Sequence, residues 1–249
     1  VQWLTRLAAL TLLTTHGALA LDVARRNSAV IDELGHIASG VACWQKAYFY
    51  LYHENPPLVR MLTALPVLAA DPVTDYSRAQ RGPGFRSEWS VGRDFMFANE
   101  GRYHELVCRA RYVVVVLSVL GGWLLFRWSA HLFGNAGSLV ATSLWAFNPN
   151  VLAHGSVATT DMGATVAGLV AAHAYWRYLH KPGLCRALAV GATLGVVLLT
   201  KFTMLCLIPV WIVTWILWMG NRESEMSDGR SSFGRVMRRG SHAAAVAGT

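Results

Sequence analysis

The stretch "LAHGSVATTDMGATVAGLVAAHAYWRYL", Leu152–Leu179, sets an acid, Asp161, at the mouth of an apolar run otherwise suited to lipid. A span needs about 20 largely apolar residues to cross the hydrocarbon, and Met162–Leu179 is one of several windows that qualify. The others are Trp3–Leu21, Arg111–Ser129, Ala136–Ala153, Ala187–Leu199 and Phe202–Met219. Ala187–Leu199 is short, but Lys201 lengthens it by snorkelling. With 54% of residues hydrophobic and 14% charged, gathered in such runs, the chain reads as an all-α, polytopic integral membrane protein. The first window can be read two ways. "HGALA", His16–Ala20, has the small-residue ending of a signal peptide, yet Arg6 is the only basic residue ahead of it and the stretch has the length of a span. A retained helix is expected.

The net charge of +8 comes from basic residues beside the spans, with no aromatic-basic patch, so it is a topology signal and nucleic acid is not expected as a partner. Arg127, then Arg177, Lys181 and Arg186, then Arg222 and "GRVMRRG" flank alternate connections, which the positive-inside rule assigns to the cytoplasm; Arg6 agrees. The connection Asn148–Thr160 has no Lys or Arg and falls on the outer face, with the long segment Asp22–Cys108. The organisation expected is a first transmembrane helix over 1–21, an extracytoplasmic loop with juxtamembrane helices over 22–108, five transmembrane helices over 109–220, and a cytoplasmic basic loop over 221–249. The start at Val1 and the ending "HAAAVAGT", which reads as the opening of a further helix, suggest a piece of a longer protein.

Within the outer segment, "NPP" at Asn55–Pro57 breaks two predicted helices, because proline lacks the backbone donor and restricts its predecessor. The second, Pro57–Ala69, is too short to span and carries Arg60, which suits a helix lying along the membrane surface. "SRAQRGPGFRSEWSVGRDFMFANEGRYHEL", Ser77–Leu106, reads either as an ordered outer loop or as a mobile lid. Cys43 and Cys108 share the outer side and can pair, whereas Cys185 and Cys206 fall on or within the membrane.

Charges near membrane depth are costly, so each needs a partner or a function. The outer face collects Asp32, Glu33, Glu54, Arg111, Asp161 and Lys201. Taken singly they have bland readings. Asp161 or its neighbouring threonines can cap a helix, Asp32 and Glu33 can start one, and Arg111 and Lys201 can snorkel. His36, His53, His104 and His154 read as loop histidines, one of which could join Glu54 at a metal. Together, acids and bases at one membrane face are what a reaction on an anionic lipid-linked substrate needs: cations to hold phosphate and a carboxylate to take a proton from a hydroxyl.

This arrangement resembles the GT-C glycosyltransferases, in the protein O-mannosyltransferase and aminoarabinose transferase branch that uses polyprenyl-phosphate sugars. The residues that carry the resemblance are "DE" at Asp32-Glu33, "ENPPL" at Glu54–Leu58, "CRARY" at Cys108–Tyr112, "LFG" at Leu132–Gly134, "NPNVLAHGSVATTD" at Asn148–Asp161 and "LLTKF" at Leu198–Phe202. The resemblance implies a GT-C-like helix bundle with outer juxtamembrane helices. It implies that Asp32 is the general base or acceptor-binding carboxylate with Glu33 in support, and that Asp161 is the second carboxylate. It further implies that Arg111 and Lys201 face the lipid phosphate, with His154 beside them in substrate binding. In the aminoarabinose branch the acid of the "E-x-P" element helps bind a divalent metal; this would be Glu54, but its partner histidine is expected beyond Thr249.

The expected activity is transfer of a sugar from a polyprenyl-phosphate donor to an acceptor hydroxyl on a protein, lipid or glycan. The expected setting is a bacterial inner membrane, with the site facing the periplasm or exterior. A transporter or flippase of a lipid-linked or anionic solute would use the same charges. Against it, no internal repeat is present and the charges gather at one face instead of the midplane.

Overall fold

The computed structural model describes residues 2–227 apart from Pro83, so "GRVMRRG" and "HAAAVAGT" lie outside the described residues. Among the described residues the protein is all helical. Three helical stretches are long and apolar enough to cross a membrane: Gln2–Arg26, Glu100–Phe147 and Phe202–Arg222. The first is α1 (Gln2–Arg26), one uninterrupted helix.

The second is dominated by α5 (Tyr103–Phe147), which is two arms joined at Gly134. Gly134 has φ 71° and ψ −169°, a backbone region that a residue without Cβ adopts at little cost and other residues avoid. The chain reverses there, and Trp145 on the second arm donates its indole N–H to the Ser118 carbonyl on the first, at 3.2 Å. The two expected spans on either side of "LFG" are therefore a helical hairpin. The second arm stops at Phe147 and does not continue to Ala153 as expected. Proline at 149 forces its predecessor out of the helical region, and Asn148 is extended. The Asn148 side chain then accepts from the amides of Asn150 and Val151 at 2.8 and 3.3 Å, starting the short α6 (Pro149–His154).

His16 stitches α1 into the hairpin. Its ring nitrogens bond the Ser118 hydroxyl at 2.8 Å and the Ala146 carbonyl at 3.0 Å, one partner on each arm. Next in the bundle come α7 (Asp161–His180) and α8 (Leu184–Leu198), and then α9 (Leu207–Ser227). Residues Phe202–Cys206 form a tighter 3-10 turn before α9 instead of its first regular turn. The Tyr175 ring stacks on Trp211 at 4.6 Å, and its hydroxyl donates to the Trp211 carbonyl at 2.6 Å, fastening α9 to α7. Exposed Leu7, Leu10, Val116, Leu120, Val140 and Leu144 give these helices the apolar exterior that hydrocarbon favours.

The outer segment folds as α2 (Ile31–Lys46), α3 (Leu58–Leu68) and α4 (Ser87–Ala98). Ile37 and Val41 of α2 pack with Val67 of α3, Val91 and Phe95 of α4 and Leu106 of α5 in one buried cluster. Burial of each such side chain is worth about 1.5–3 kcal/mol, which fixes Ser87–Ala98 as part of the core and overrides the lid reading. Asn99 completes the fastening: its amide donates to the carbonyls of Val73 and Phe95, each at 2.8 Å. Two further expectations change. Arg60 is buried inside the protein instead of pointing to headgroups, and Cys43 and Cys108 are buried free thiols that do not pair.

Candidate active site

The C-terminal end of α1 and the starts of α2, α5 and α7 meet at one end of the bundle, held by one buried ion pair. Arg111 donates its Nε to Glu33 Oε1 at 2.8 Å and a terminal nitrogen to Glu33 Oε2 at 2.6 Å. Its remaining donors go to the carbonyls of Ala24 at 2.7 Å and of Asn27 and Ser28, each at 2.8 Å. A guanidinium has five N–H donors, so none is left for a phosphate. Glu33 accepts two more bonds, from the Val30 amide at 2.9 Å and the Ala158 amide at 2.7 Å. The first is the helix-start role of the bland reading; the second pins the loop that leads into α7. Both side chains are fully buried. The expectations that Arg111 faces the donor phosphate and that Glu33 supports catalysis directly therefore give way to a positioning role.

The loop pinned by Glu33 delivers Asp161. No side chain caps α7, so Asp161 is not spent on exposed backbone amides. Its carboxylate instead meets Lys201 Nζ at 2.5 Å, accepts from the Thr159 hydroxyl at 3.1 Å and lies 3.5 Å from His154 Nδ1. Asp161 and Lys201 remain 34% and 29% exposed, so the pair lines an accessible surface. Burial raises the Asp161 pKa, but the hydrogen bond and charge of Lys201, with smaller help from Thr159 and His154, outweigh it and hold the carboxyl below its ordinary value. Lys201 is placed by the turn closing α8, where the Leu199 carbonyl accepts from the Leu58 amide at 3.1 Å and so ties α8 to α3.

Asp32 differs from its neighbour Glu33. It is exposed, and it has no hydrogen bond or ion pair among the described residues. Between the acids lies a polar layer. His36 stacks on Tyr52 with ring centroids 4.6 Å apart, and Arg60 lies over the other ring partner, Tyr52, at 5.0 Å. Arg60 donates to the carbonyls of Tyr52 at 2.6 Å and Asn55 at 2.8 Å, shaping the loop that carries Glu54. Burial, and then the Arg60 charge, push the His36 pKa down to about 4, with Asp161 opposing and Lys201 reinforcing the shift. Burial raises the Tyr52 phenol, and the Asp32 charge adds to this. The His36–Tyr52 stack thus lies within electrostatic reach of Asp32 and of the Asp161–Lys201 pair. His36, expected as a loop histidine, is instead buried within α2. Sequence patterning does not select Tyr52, and the only signal for Arg60 is an arginine in a helix too short to span.

Glu54 pairs with Arg86 at 2.6 Å, and Arg86 also pairs with the buried Glu88. Among the described residues no three His, Cys, Asp or Glu side chains come together to hold a metal, and the Glu54 carboxylate is engaged by Arg86.

Residues 105–228 match the family model described as dolichyl-phosphate-mannose-protein mannosyltransferase. The match takes in Arg111, His154, Asp161 and Lys201, and it leaves out Asp32, Glu33 and Glu54. No curated protein and no solved structure matches the chain. Over residues 105–228, about half of its length, the chain belongs to this mannosyltransferase family, and the protein is an integral membrane glycosyltransferase of the GT-C type.

Proposed function

We propose that the enzyme moves a sugar from a polyprenyl-phosphate carrier to an acceptor hydroxyl, with inversion at the anomeric carbon. One arrangement carries this reading: an unpaired carboxylate, Asp32, and an accessible Asp161–Lys201 pair, both within reach of the same His36–Tyr52 stack. Asp32 takes the proton of the acceptor hydroxyl as its oxygen bonds to the anomeric carbon. The bond from that carbon to the phosphate oxygen breaks, and polyprenyl phosphate leaves with the electron pair. Lys201 meets the charge on the phosphate, while Asp161 keeps the ammonium in place and His154 contributes a contact to the donor. Phosphate is already a good leaving group, so positioning and charge stabilisation dominate, with base catalysis adding about 10²–10⁴-fold.

The outer face is the proposed side of reaction, because the basic connections lie at the opposite ends of the spans. A bacterial inner membrane, with the site towards the periplasm or exterior, is the proposed setting. The acceptor is a hydroxyl of a protein, lipid or glycan.

The test uses the complete reading frame in membrane vesicles, supplied with a panel of polyprenyl-phosphate sugars. Sugar release by wild type that disappears in Asp32→Asn supports the reading. Folded protein that releases no sugar from any donor overturns it and makes uptake of a lipid-linked or anionic solute the next assay.

A further inference from the structure

A second concave surface opens at the same end of the bundle, and none of its lining residues belongs to the Asp161 site. It is a groove of about 810 Å³ between the end of α1, Pro66 of α3 and the first turns of α5. Its volume lies within the range of roughly 300–1,000 Å³ usual for ligand sites. Polar and apolar residues are sorted along its length. Arg25, Arg109 and Tyr112 stand at the helix ends, and Val113, Val116 and Leu117 continue from them. Arg109, Val113, Val116 and Leu117 recur at the spacing of one helix face. At 1.5 Å per residue the face from Arg109 to Leu117 runs about 12 Å along the outside of the bundle, and its apolar part, Val113–Leu117, about 6 Å of that.

The polar end is suited to an anion. Arg25 has no carboxylate partner among the described residues; it donates its Nε to the Tyr112 hydroxyl at 3.2 Å and lies 5.6 Å over that ring. The Tyr112 hydroxyl, an acceptor in that bond, keeps its own proton for a phosphate oxygen. Arg109 is paired with Glu105 at 2.8 Å, but both are about half exposed, and pairs of that kind contribute little and exchange partners readily. The rim therefore carries one uncompensated positive charge above an apolar stripe that faces hydrocarbon.

From this polarity and length we infer that the groove binds one anionic membrane phospholipid. Its phosphate sits at Arg25 and the Tyr112 hydroxyl, and an acyl chain lies along Val113, Val116 and Leu117. A free anion would leave the apolar stripe unused. An apolar peptide would leave Arg25 unused. The inference rests on membrane embedding and on the groove, and it does not depend on the glycosyl-transfer reading.

Native mass spectrometry of the full-length protein, released from micelles containing equal phosphatidylglycerol and phosphatidylcholine, tests it. The expected result is one retained phosphatidylglycerol in preference to phosphatidylcholine, with retention falling about fivefold in Arg25→Gln, as for loss of one cation near a lipid phosphate. Val116→Trp, which fills the stripe and leaves the charges, is expected to lower retention as well, and soluble glycerol phosphate is expected not to compete. Size-exclusion elution shows that each variant is folded. Equal retention of the two lipids, retention unchanged in both variants, or displacement by soluble glycerol phosphate would overturn the proposal.

Discussion

Glu33 and Arg111, 78 residues apart in the chain, form a two-pronged buried ion pair in which every guanidinium donor is used. This pair joins the end of α1, the start of α2, the first turns of α5 and the loop before Asp161, so its failure spreads across the site. Removing one partner of a buried pair leaves an uncompensated charge and costs about 3–5 kcal/mol. Arg111→Met is accordingly expected to lower the unfolding temperature in detergent strongly. The double variant Glu33→Gln/Arg111→Met should cost less than the sum of the single changes, because neither charge is then stranded. A folded, thermally normal Arg111→Met that has lost only donor affinity would return Arg111 to substrate binding.

The Asp161–Lys201 pair behaves differently because a third of it is open to solvent. An exposed pair contributes roughly 0–1 kcal/mol to stability. Its value is therefore to be sought in turnover. Asp161→Asn and Lys201→Gln are expected to leave the unfolding temperature within a few degrees of wild type while lowering sugar transfer about 10²-fold or more. Turnover close to wild type in both variants would remove the pair from the mechanism.

What could be read from the chain follows from the cost of charge in an apolar setting. Asp161 and Lys201 stand out because each interrupts or ends an apolar run, and the hairpin at Gly134 stands out because "LFG" separates two span-length windows. Arg111 stands out for the same reason as Lys201, yet its role does not follow. Three of its partners are the backbone carbonyls of Ala24, Asn27 and Ser28, which no side-chain pattern announces. Glu33 and Asp32 are adjacent and alike in sequence, and the helical turn between their side-chain directions sends one inward and the other to the surface. The burial of Arg60 escapes for a related reason: it depends on the loop Tyr52–Asn55 folding back over α3, a contact set by tertiary packing.

His36 gives the fold a dependence on acid. Its folded pKa of about 4 lies below the ordinary value of 6.5, so between these values the unfolded chain binds the proton that the folded chain excludes. Stability from this group is full above about pH 6.5 and falls as pH drops towards 4, by roughly 3 kcal/mol at most. Thermal unfolding of the wild type from pH 7.5 to pH 4.5 should show the decline. His36→Phe, which keeps a ring against Tyr52 and cannot take up a proton, should flatten it. An identical decline in that variant would assign the acid sensitivity to other groups.

The contact between α2 and α3 that places this histidine is governed by Gly40. A Cβ at position 40 would lie 2.2 Å from the Arg60 carbonyl oxygen and 2.9 Å from its carbon, both backbone atoms that cannot rotate away. Gly40→Ala must therefore separate the two helices, although alanine favours a helix interior by about 1 kcal/mol over glycine. Overpacking of this kind costs about 1–3 kcal/mol, so the net expectation is a lower unfolding temperature. Because the same displacement carries Arg60, and with it the Tyr52 loop, sugar transfer should fall too. At Gly134 the expectation differs in kind. Alanine meets no neighbour there, and only the backbone resists it, because φ 71° with ψ −169° is a region essentially confined to glycine and costs other residues about 1–3 kcal/mol. Gly134→Ala should then loosen the hairpin without altering the site, and unfolding curves and transfer rates measured side by side for the two variants distinguish these outcomes. If Gly40→Ala keeps both its stability and its transfer rate, the close approach of α2 to α3 is not what positions the polar layer.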